Sequence, residues 1–471
     1  MRFKSFNIFL NLILTGIVSM YFVSCKHTTM EGMMIITRSA ELIKDAGTSE
    51  PPSRYTGKSQ IIALDPQNPV ETKLLTKDFK SACAPVISYD GKTMLFAAAE
   101  KEGDNWQIWE MDLNNLKSRQ VISIQENCID PAYLPSGRIL FSKLTDINSE
   151  KKCHPIYTCK PDGSDIRQIS YHPHNNFASS VLKDGRILTI TSSVYPEKEE
   201  PMFLVLRPDG TKAELFYKGD TGSSILSRGL ETQDGKIVFI EAENGNMTDG
   251  HLVSVNYNRP LHTRTIISGD LKGSFNSVMP LKSGKYLVSW RSSGNDRFAL
   301  YEFNPDTKEL GNPVYQNAGY DVLDAAMVVQ TDLPKKLPSE VDMGVKTGLL
   351  LCQDVNFAGM SKNTASHISM IKLVGIDSTL GVVKIEEDGS FFLKIKADTP
   401  FQIQNIDDNG QVVNSSCDWI YLRPNERRGC VGCHEDNEMV PENRYCLSVS
   451  KDPVEIPSVV KNFQEKKIEL E

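Results

Sequence analysis

Ala84-Pro85-Val86-Ile87-Ser88-Tyr89-Asp90-Gly91-Lys92-Thr93-Met94-Leu95-Phe96 returns one unit later as Asp130-Pro131-Ala132-Tyr133-Leu134-Pro135-Ser136-Gly137-Arg138-Ile139-Leu140-Phe141. Each copy reads as a short strand, a tight Asp-Gly or Ser-Gly turn and an apolar strand, with Gly supplying the positive φ that such a hairpin demands. Three further copies centre on Lys183-Asp184-Gly185-Arg186-Ile187-Leu188, Gln233-Asp234-Gly235-Lys236-Ile237-Val238-Phe239 and Lys282-Ser283-Gly284-Lys285-Tyr286-Leu287-Val288. The turn glycines fall at 91, 137, 185, 235 and 284, so the steps are 46, 48, 50 and 49 residues. A second hairpin follows most of the first ones. Its strands are Trp106 to Asp112, Pro155 to Cys159, Met202 to Leu206 and Arg297 to Phe303, and the last three lead into Pro-Asp-Gly or Asn-Pro-Asp turns.

Four antiparallel strands at this period predict the blades of a β-propeller; the units are too long and too strand-rich for a solenoid. Five full units start near residues 84, 130, 178, 228 and 276, and a degenerate sixth near Asp321 to Val329. Ser59 to Thr76 supplies an outer hairpin without inner strands. Joined to the sixth start, these N-terminal strands complete the last blade and close a six-bladed ring, which removes open sheet edges. The pattern Pro-x-x-Ser-x-Asp-Gly with aliphatic followers resembles exported TolB-type propellers.

Pro334-Lys335-Lys336-Leu337-Pro338 marks a boundary. Beyond it, Thr347 to Cys352, Ile368 to Val374, Phe391 to Ile395 and Pro400 to Ile406 predict the strands of a small antiparallel β-sandwich. The chain then reads Cys430-Val431-Gly432-Cys433-His434. Two thiols three apart, followed at once by an imidazole, form the attachment pattern of a c-type haem. The thiols add across the two vinyl groups of one porphyrin edge, and the His ligates iron beneath the ring. A zinc knuckle or a redox dithiol are the alternatives. The fold class expected is therefore all-β: a six-bladed β-propeller, a small β-sandwich-like domain and a short c-haem-binding segment. Its divisions are a lipoprotein signal peptide (1–25), a linker (26–57), the propeller (58–340), the sandwich (341–422), the haem segment (423–446) and a tail (447–471). The tail closes on the mixed-charge stretch Glu465 to Glu471, expected to be solvated.

The N-terminus supports the haem reading. Arg2 and Lys4 precede the apolar run Ile8 to Val23, which has the length and polarity of a signal-peptide core. Phe22-Val23-Ser24-Cys25 then has the form of a lipobox, so Cys25 is the expected lipidation site and membrane anchor. Ordinary cleavage and an uncleaved anchor are the other readings. All three place the rest of the chain outside the cytoplasm, where covalent haem attachment occurs. Seven cysteines remain once Cys25, Cys430 and Cys433 are set aside, and an exported protein can pair them. Cys153 with Cys159 and Cys417 with Cys446 are plausible couples. Cys153, His154, Cys159, His172 and His174 form an alternative metal set, at spacings that match no standard zinc pattern. A net charge of −8, without any long basic run, argues against a nucleic-acid partner. No nucleophile triad, phosphate loop or paired-carboxylate motif supports a hydrolase.

Asp388-Gly389-Ser390-Phe391, Asp407 to Gly410, Trp419 and Arg423-Pro424-Asn425-Glu426-Arg427-Arg428-Gly429-Cys430-Val431-Gly432-Cys433-His434-Glu435 occur in the order seen in hydrazine synthase alpha subunit-like proteins, which this chain resembles over most of its length. The resemblance implies a periplasm-facing multidomain haem protein with its haem against the propeller. In that family a further domain carries a second c-type haem. A Tyr four positions after the motif His can there ligate iron while the His serves a zinc. Here the chain ends 37 residues past His434 (471 − 434), with one CxxCH, and Glu438 stands at the Tyr position. His434 is accordingly the expected proximal ligand of a single haem c.

The sixth iron ligand decides between an electron carrier and an open site. Met439 is too close to His434 to reach the opposite face, which leaves His172, His174, His367 or a propeller Met. Arg427, Arg428 and Arg444 are candidates for pairing with haem propionates. The expected function is an extracytoplasmic lipoprotein, at the periplasmic or outer-membrane face, carrying one haem c for electron transfer or redox sensing with a redox partner protein. A haem enzyme acting on small nitrogen or oxygen species and a haem-independent propeller binding protein are the alternatives.

Overall fold

The computed structural model describes residues 30–41, 55, 58–196, 199–243, 250–357, 368–413, 418–430 and 443–457. Cys25, His367, Cys417, Cys433, His434, Glu438 and Met439 lie outside them. The regular elements among the described residues are strands apart from two short 3-10 turns, and none of these residues forms a helix long and apolar enough to cross a membrane.

Six antiparallel sheets follow one another among the described residues. The first runs Ser81–Ile87, Thr93–Ala99, Gln107–Asp112, Ser118–Gln120, each strand pairing with the next. The next four begin at Cys128–Tyr133, His174–Val181, Ser224–Ile225 and Ser274–Pro280 and repeat this meander. In the fourth sheet the inner position is split, with Leu230–Glu231 also pairing to Lys236–Ala242. The turn glycines adopt positive φ at every repeat, from +72° at Gly91 to +90° at Gly185.

Six apolar clusters join neighbouring sheets in turn. Leu95 and Ile108 of the first sheet pack with Ile139 and Phe141 of the second. Leu188 and Phe203 of the third meet Ile237 and Phe239 of the fourth. The sixth sheet runs Asp321–Met327, Met34–Ser39, Ser59–Asp65, Asn68–Leu74. Its Ile36, Ile62 and Val322 pack against Leu287 and Leu300 of the fifth sheet, whereas Ile35 and Ile61 pack against Met94 and Phe96 of the first. Side chains alternate across a strand, so one short segment closes the ring against both neighbours.

This corrects the reading of 26–57 as a linker, because Met34–Ser39 is an interior strand of the sixth sheet. Tyr55, from the same stretch, packs edge-on against Trp106 and donates its hydroxyl to Asp130 Oδ1 at 3.0 Å. Asp130 Oδ2 in turn accepts the Ala178 amide at 2.8 Å, tying the second sheet to the third.

The second domain is a sandwich whose core includes Leu350, Ile371, Leu373, Leu393, Phe401 and Leu422. One layer runs Thr379–Lys384, Ile368–Val374, Gln402–Asp407 and is antiparallel. The other runs Arg427–Cys430, Thr347–Cys352, Phe391–Lys396, Val454–Ile456, and both of its edge strands pair in parallel. Two corrections follow. The first residues of the haem segment belong to the sandwich, and so does part of the tail, where Ile456 is buried in the core. Of this short edge strand only Ile456 is buried, whereas Val454 and Glu455 are exposed. Glu465 to Glu471 lies outside the described residues.

The boundary segment has no regular structure but is held to the propeller. The Thr331 amide donates to Tyr89 O and the Lys335 amide to Lys183 O. A Cβ at Gly185 would stand 2.0 Å from Lys335 O, so this turn needs Gly for its φ and for the strap lying over it. Replacing Ile36 by Ala should cost about 2–5 kcal/mol in guanidinium unfolding. The same change at the exposed Val70 should cost no more than about 0.5 kcal/mol. Equal small losses at both positions would show that the closing strand is not held by its core.

Candidate functional site

Cys430 ends the edge strand Arg427–Cys430, in register with Thr347–Cys352: Leu349 opposite Arg427, Leu350 opposite Arg428, Cys352 opposite Cys430. A tight turn feeds that strand. Asn425 takes a positive φ of 68°, and the Glu426 amide donates to Arg423 O. Glu426 is buried, and its carboxylate joins the two domains. Its Oε2 accepts the Arg423 amide at 2.7 Å; its Oε1 accepts the Lys212 amide of the propeller at 2.8 Å and the Arg428 guanidinium at 2.7 Å. Three neighbours reinforce the contact. Arg423 pairs with Asp398 at 2.7 Å and donates to Asp209 O at 3.0 Å. The Tyr421 hydroxyl reaches Ile169 O and Gly210 O, and Trp419 donates from its indole to Tyr195 O at 2.8 Å.

Between the propeller and this strand lies a cleft of about 450 Å³, lined by Arg186, Arg207, Lys212, Arg427, Arg428 and Cys430 among others. Most of these cations have partners. Arg186 pairs with Asp184 and Glu214, Arg207 and Lys212 with Glu340, and Arg428 with Glu426. Arg427 is exposed at the rim. Arg444 instead donates to Gln353 O and Asp388 O on the sandwich. Two of the three propionate candidates thus face the cleft.

His172 and His174 are buried behind Tyr421, their rings stacked with centroids 4.8 Å apart. His174 Nε2 lies 3.4 Å from Asp418 Oδ1, close enough for an ion pair but not aligned as a hydrogen bond. Burial holds His172 well below the usual imidazole range, and the neighbouring His174 adds to this. Burial pushes the Asp418 carboxyl up, but the His174 contact outweighs it and leaves the group below its ordinary value. Burial raises Glu199, also near Asp418.

Among the described residues no three His, Cys, Asp or Glu side chains converge as metal ligands, so Cys153, His154, Cys159, His172 and His174 do not assemble the alternative metal set. His154 instead contacts Asn175 Oδ1 at 3.0 Å through Nδ1. Cys153 and Cys159 are separate buried thiols rather than a disulfide. Burial raises them to about 12 and about 11. Cys446 is buried, and its expected partner Cys417 lies outside the described residues. Glu426 stood within the quoted motif, but nothing local marked it as the residue joining two domains. His172 and His174 were candidates for an iron or metal ligand, but no local signal linked them to Asp418.

Residues 352–435 match the hydrazine synthase alpha subunit middle domain. Hydrazine synthase subunit alpha of Kuenenia stuttgartiensis is 24% identical over 534 aligned residues, covering 85% of this chain and 65% of the relative, so the chain spans less than two thirds of that protein. The solved hydrazine synthase of Kuenenia stuttgartiensis superposes with a TM-score of 0.76 at 21% identity, over 89% of this chain and 71% of that one. TolB from Acinetobacter baumannii gives a TM-score of 0.43 at 16% identity, over 65% of this chain and 68% of TolB.

Removing the Glu426 carboxylate (Glu426→Ala) leaves a half-buried Arg428 without its partner and should cost about 3 kcal/mol in chemical unfolding; a loss below about 1 kcal/mol would show that the carboxylate does not hold the domains together. The histidine pair makes a second prediction. The unfolded chain protonates His172 near pH 6.5, whereas the buried ring stays neutral, so this contribution is present above pH 6.5 and is lost as pH falls below it. Unfolding at pH 7.5 and 5.5 should differ by on the order of 1 kcal/mol from this residue. The His172→Gln variant should lack that part of the difference, and an unchanged pH slope would refute the assignment.

Proposed function

We propose, on the likeness of its middle domain and fold to those of hydrazine synthase subunit alpha, that the chain carries one c-type haem on Cys430, Cys433 and His434. The observation that carries this reading is the position of Cys430, at the end of an edge strand and on the wall of a cation-lined cleft. The cleft fits the cofactor's chemistry, since a porphyrin edge is apolar and its propionates are anionic. Cys430 and Cys433 would hold the ring through thioether bonds, His434 would ligate iron, and Arg427 and Arg428 would pair with its propionates. Bound haem supplies a one-electron couple between ferric and ferrous iron, tuned by its axial ligands. The protein's own groups set its surroundings: Glu426 orients Arg428, and Ile420 and the strand Arg427–Cys430 wall the site on the sandwich side.

Electron transfer or redox sensing with a partner protein is the function this supports. The relative's designation as a subunit supports a protein partner. Action on small nitrogen or oxygen species is the second reading, favoured by the likeness to a hydrazine synthase subunit. The membrane anchor through Cys25 and the extracytoplasmic location belong to the same proposal, since haem attachment and lipidation both follow export. A net charge of −8 keeps nucleic acid out of the list of partners.

Protein from a host that matures c-type cytochromes should keep its haem band after denaturation. Cys430→Ala and Cys433→Ala together should abolish the band; a wild-type chain without it would overturn the reading. A ferrous spectrum that shifts with carbon monoxide would select the enzyme, and one that does not would select the electron carrier.

A further inference from the structure

We infer that Cys352 and Cys430 form a reversible disulfide in the haem-free chain, which withholds Cys430 from cofactor attachment until it is reduced. The pairing follows from register. In the parallel ladder Cys352 lies directly opposite Cys430, and the Gln353 amide donates to Cys430 O at 2.9 Å, holding the strands together just beyond the pair. Register partners on neighbouring strands point to the same face. That face is the sandwich core, since Cys352 belongs to the buried cluster and Cys430 packs against it. Adjacent strands lie about 4.8 Å apart, inside the Cα separation of about 4.4–6.8 Å that a disulfide spans.

Cys430 is therefore placed between two fates. One side of it opens on the cationic cleft and the other faces Cys352. The other buried thiols of the propeller, Cys83, Cys128, Cys153 and Cys159, sit on strands of its own sheets and not on this strand pair.

The chemistry needs a disulfide oxidant such as oxidised glutathione. The Cys430 thiolate attacks one glutathione sulfur and expels the other as a thiolate. The Cys352 thiolate then attacks the Cys430 sulfur of the mixed disulfide and expels the second glutathione. One S–S bond forms as another breaks, two electrons pass to glutathione, and the two protons lost by the cysteines go to the departing thiolates. While linked, Cys430 has no S–H to add across a vinyl group. This gating role rests on the haem reading, whereas the disulfide itself does not.

The test is a peptide map of the full chain made without haem, treated with oxidised glutathione and alkylated without reduction. The tryptic peptide 347–362, which holds Cys352, should be found joined to 429–444, which holds Cys430 and Cys433. The joined species should persist in Cys433→Ser and vanish in Cys430→Ser. In haem-loaded protein Cys352 should be alkylated. Full alkylation of Cys352 in both the oxidised wild type and Cys433→Ser, or its linkage to any other cysteine, would overturn the inference. Absence of haem in material from a cytochrome-maturing host would instead overturn the haem reading, and the map of the haem-free chain would still decide the disulfide.

Discussion

The two faces of one six-residue strand, Met34–Ser39, hold the ring shut. Ile36 is buried against the fifth sheet and Ile35 against the first, so hydrophobic burial on both sides draws the N-terminal and C-terminal ends of the propeller together. The same strand pairs with Asp321–Met327 and with Ser59–Asp65, leaving neither of its backbone edges exposed. Without it the inner strand Asp321–Met327 and the hairpin Ser59–Leu74 would be open edges, each a template for pairing with another chain. The strap over Gly91 and Gly185 starts from this closed sheet, and through the strap so does the path to the sandwich.

Docking of the sandwich follows a different logic. Its contact with the second and third sheets is made of buried polar groups that satisfy one another: Glu426 between the Lys212 amide and the Arg428 guanidinium, Arg423 between the Asp398 carboxylate and the Asp209 carbonyl, and Tyr421 on two propeller carbonyls. Buried charges survive only when paired and hydrogen-bonded. The geometry tolerates little displacement, and this places Cys430 reproducibly beside the cleft. A purely apolar contact would let the domains slide, and the cations lining the cleft would lose their relation to the strand that ends in Cys430.

Where the chain turns sharply, its sequence was legible. The Asp-Gly and Ser-Gly turns occur at their expected places with positive φ, and the hairpins around them pair as the alternation implied. Where pairing is distant, it was not. Met34–Ser39 has no turn residue joining it to its partners: nineteen residues (40–58) separate it from the strand at Ser59, and its other neighbour comes nearly three hundred residues later. The edge strands Arg427–Cys430 and Val454–Ile456 pair in parallel, a geometry that no hairpin signature announces. The first fell within the expected haem segment and the second within the expected tail.

The amino-acid sequence alone determined the repeat, the all-β class and the placing of two thiols and an imidazole in one short motif, because each is written within a few neighbouring residues. Tertiary structure decided which strand closes the ring, which cations gather around Cys430 and that Cys352, seventy-eight residues away (430 − 352), stands opposite it. Those choices come from burying apolar faces and pairing buried charges, which compare distant parts of the chain and leave no mark in any local stretch.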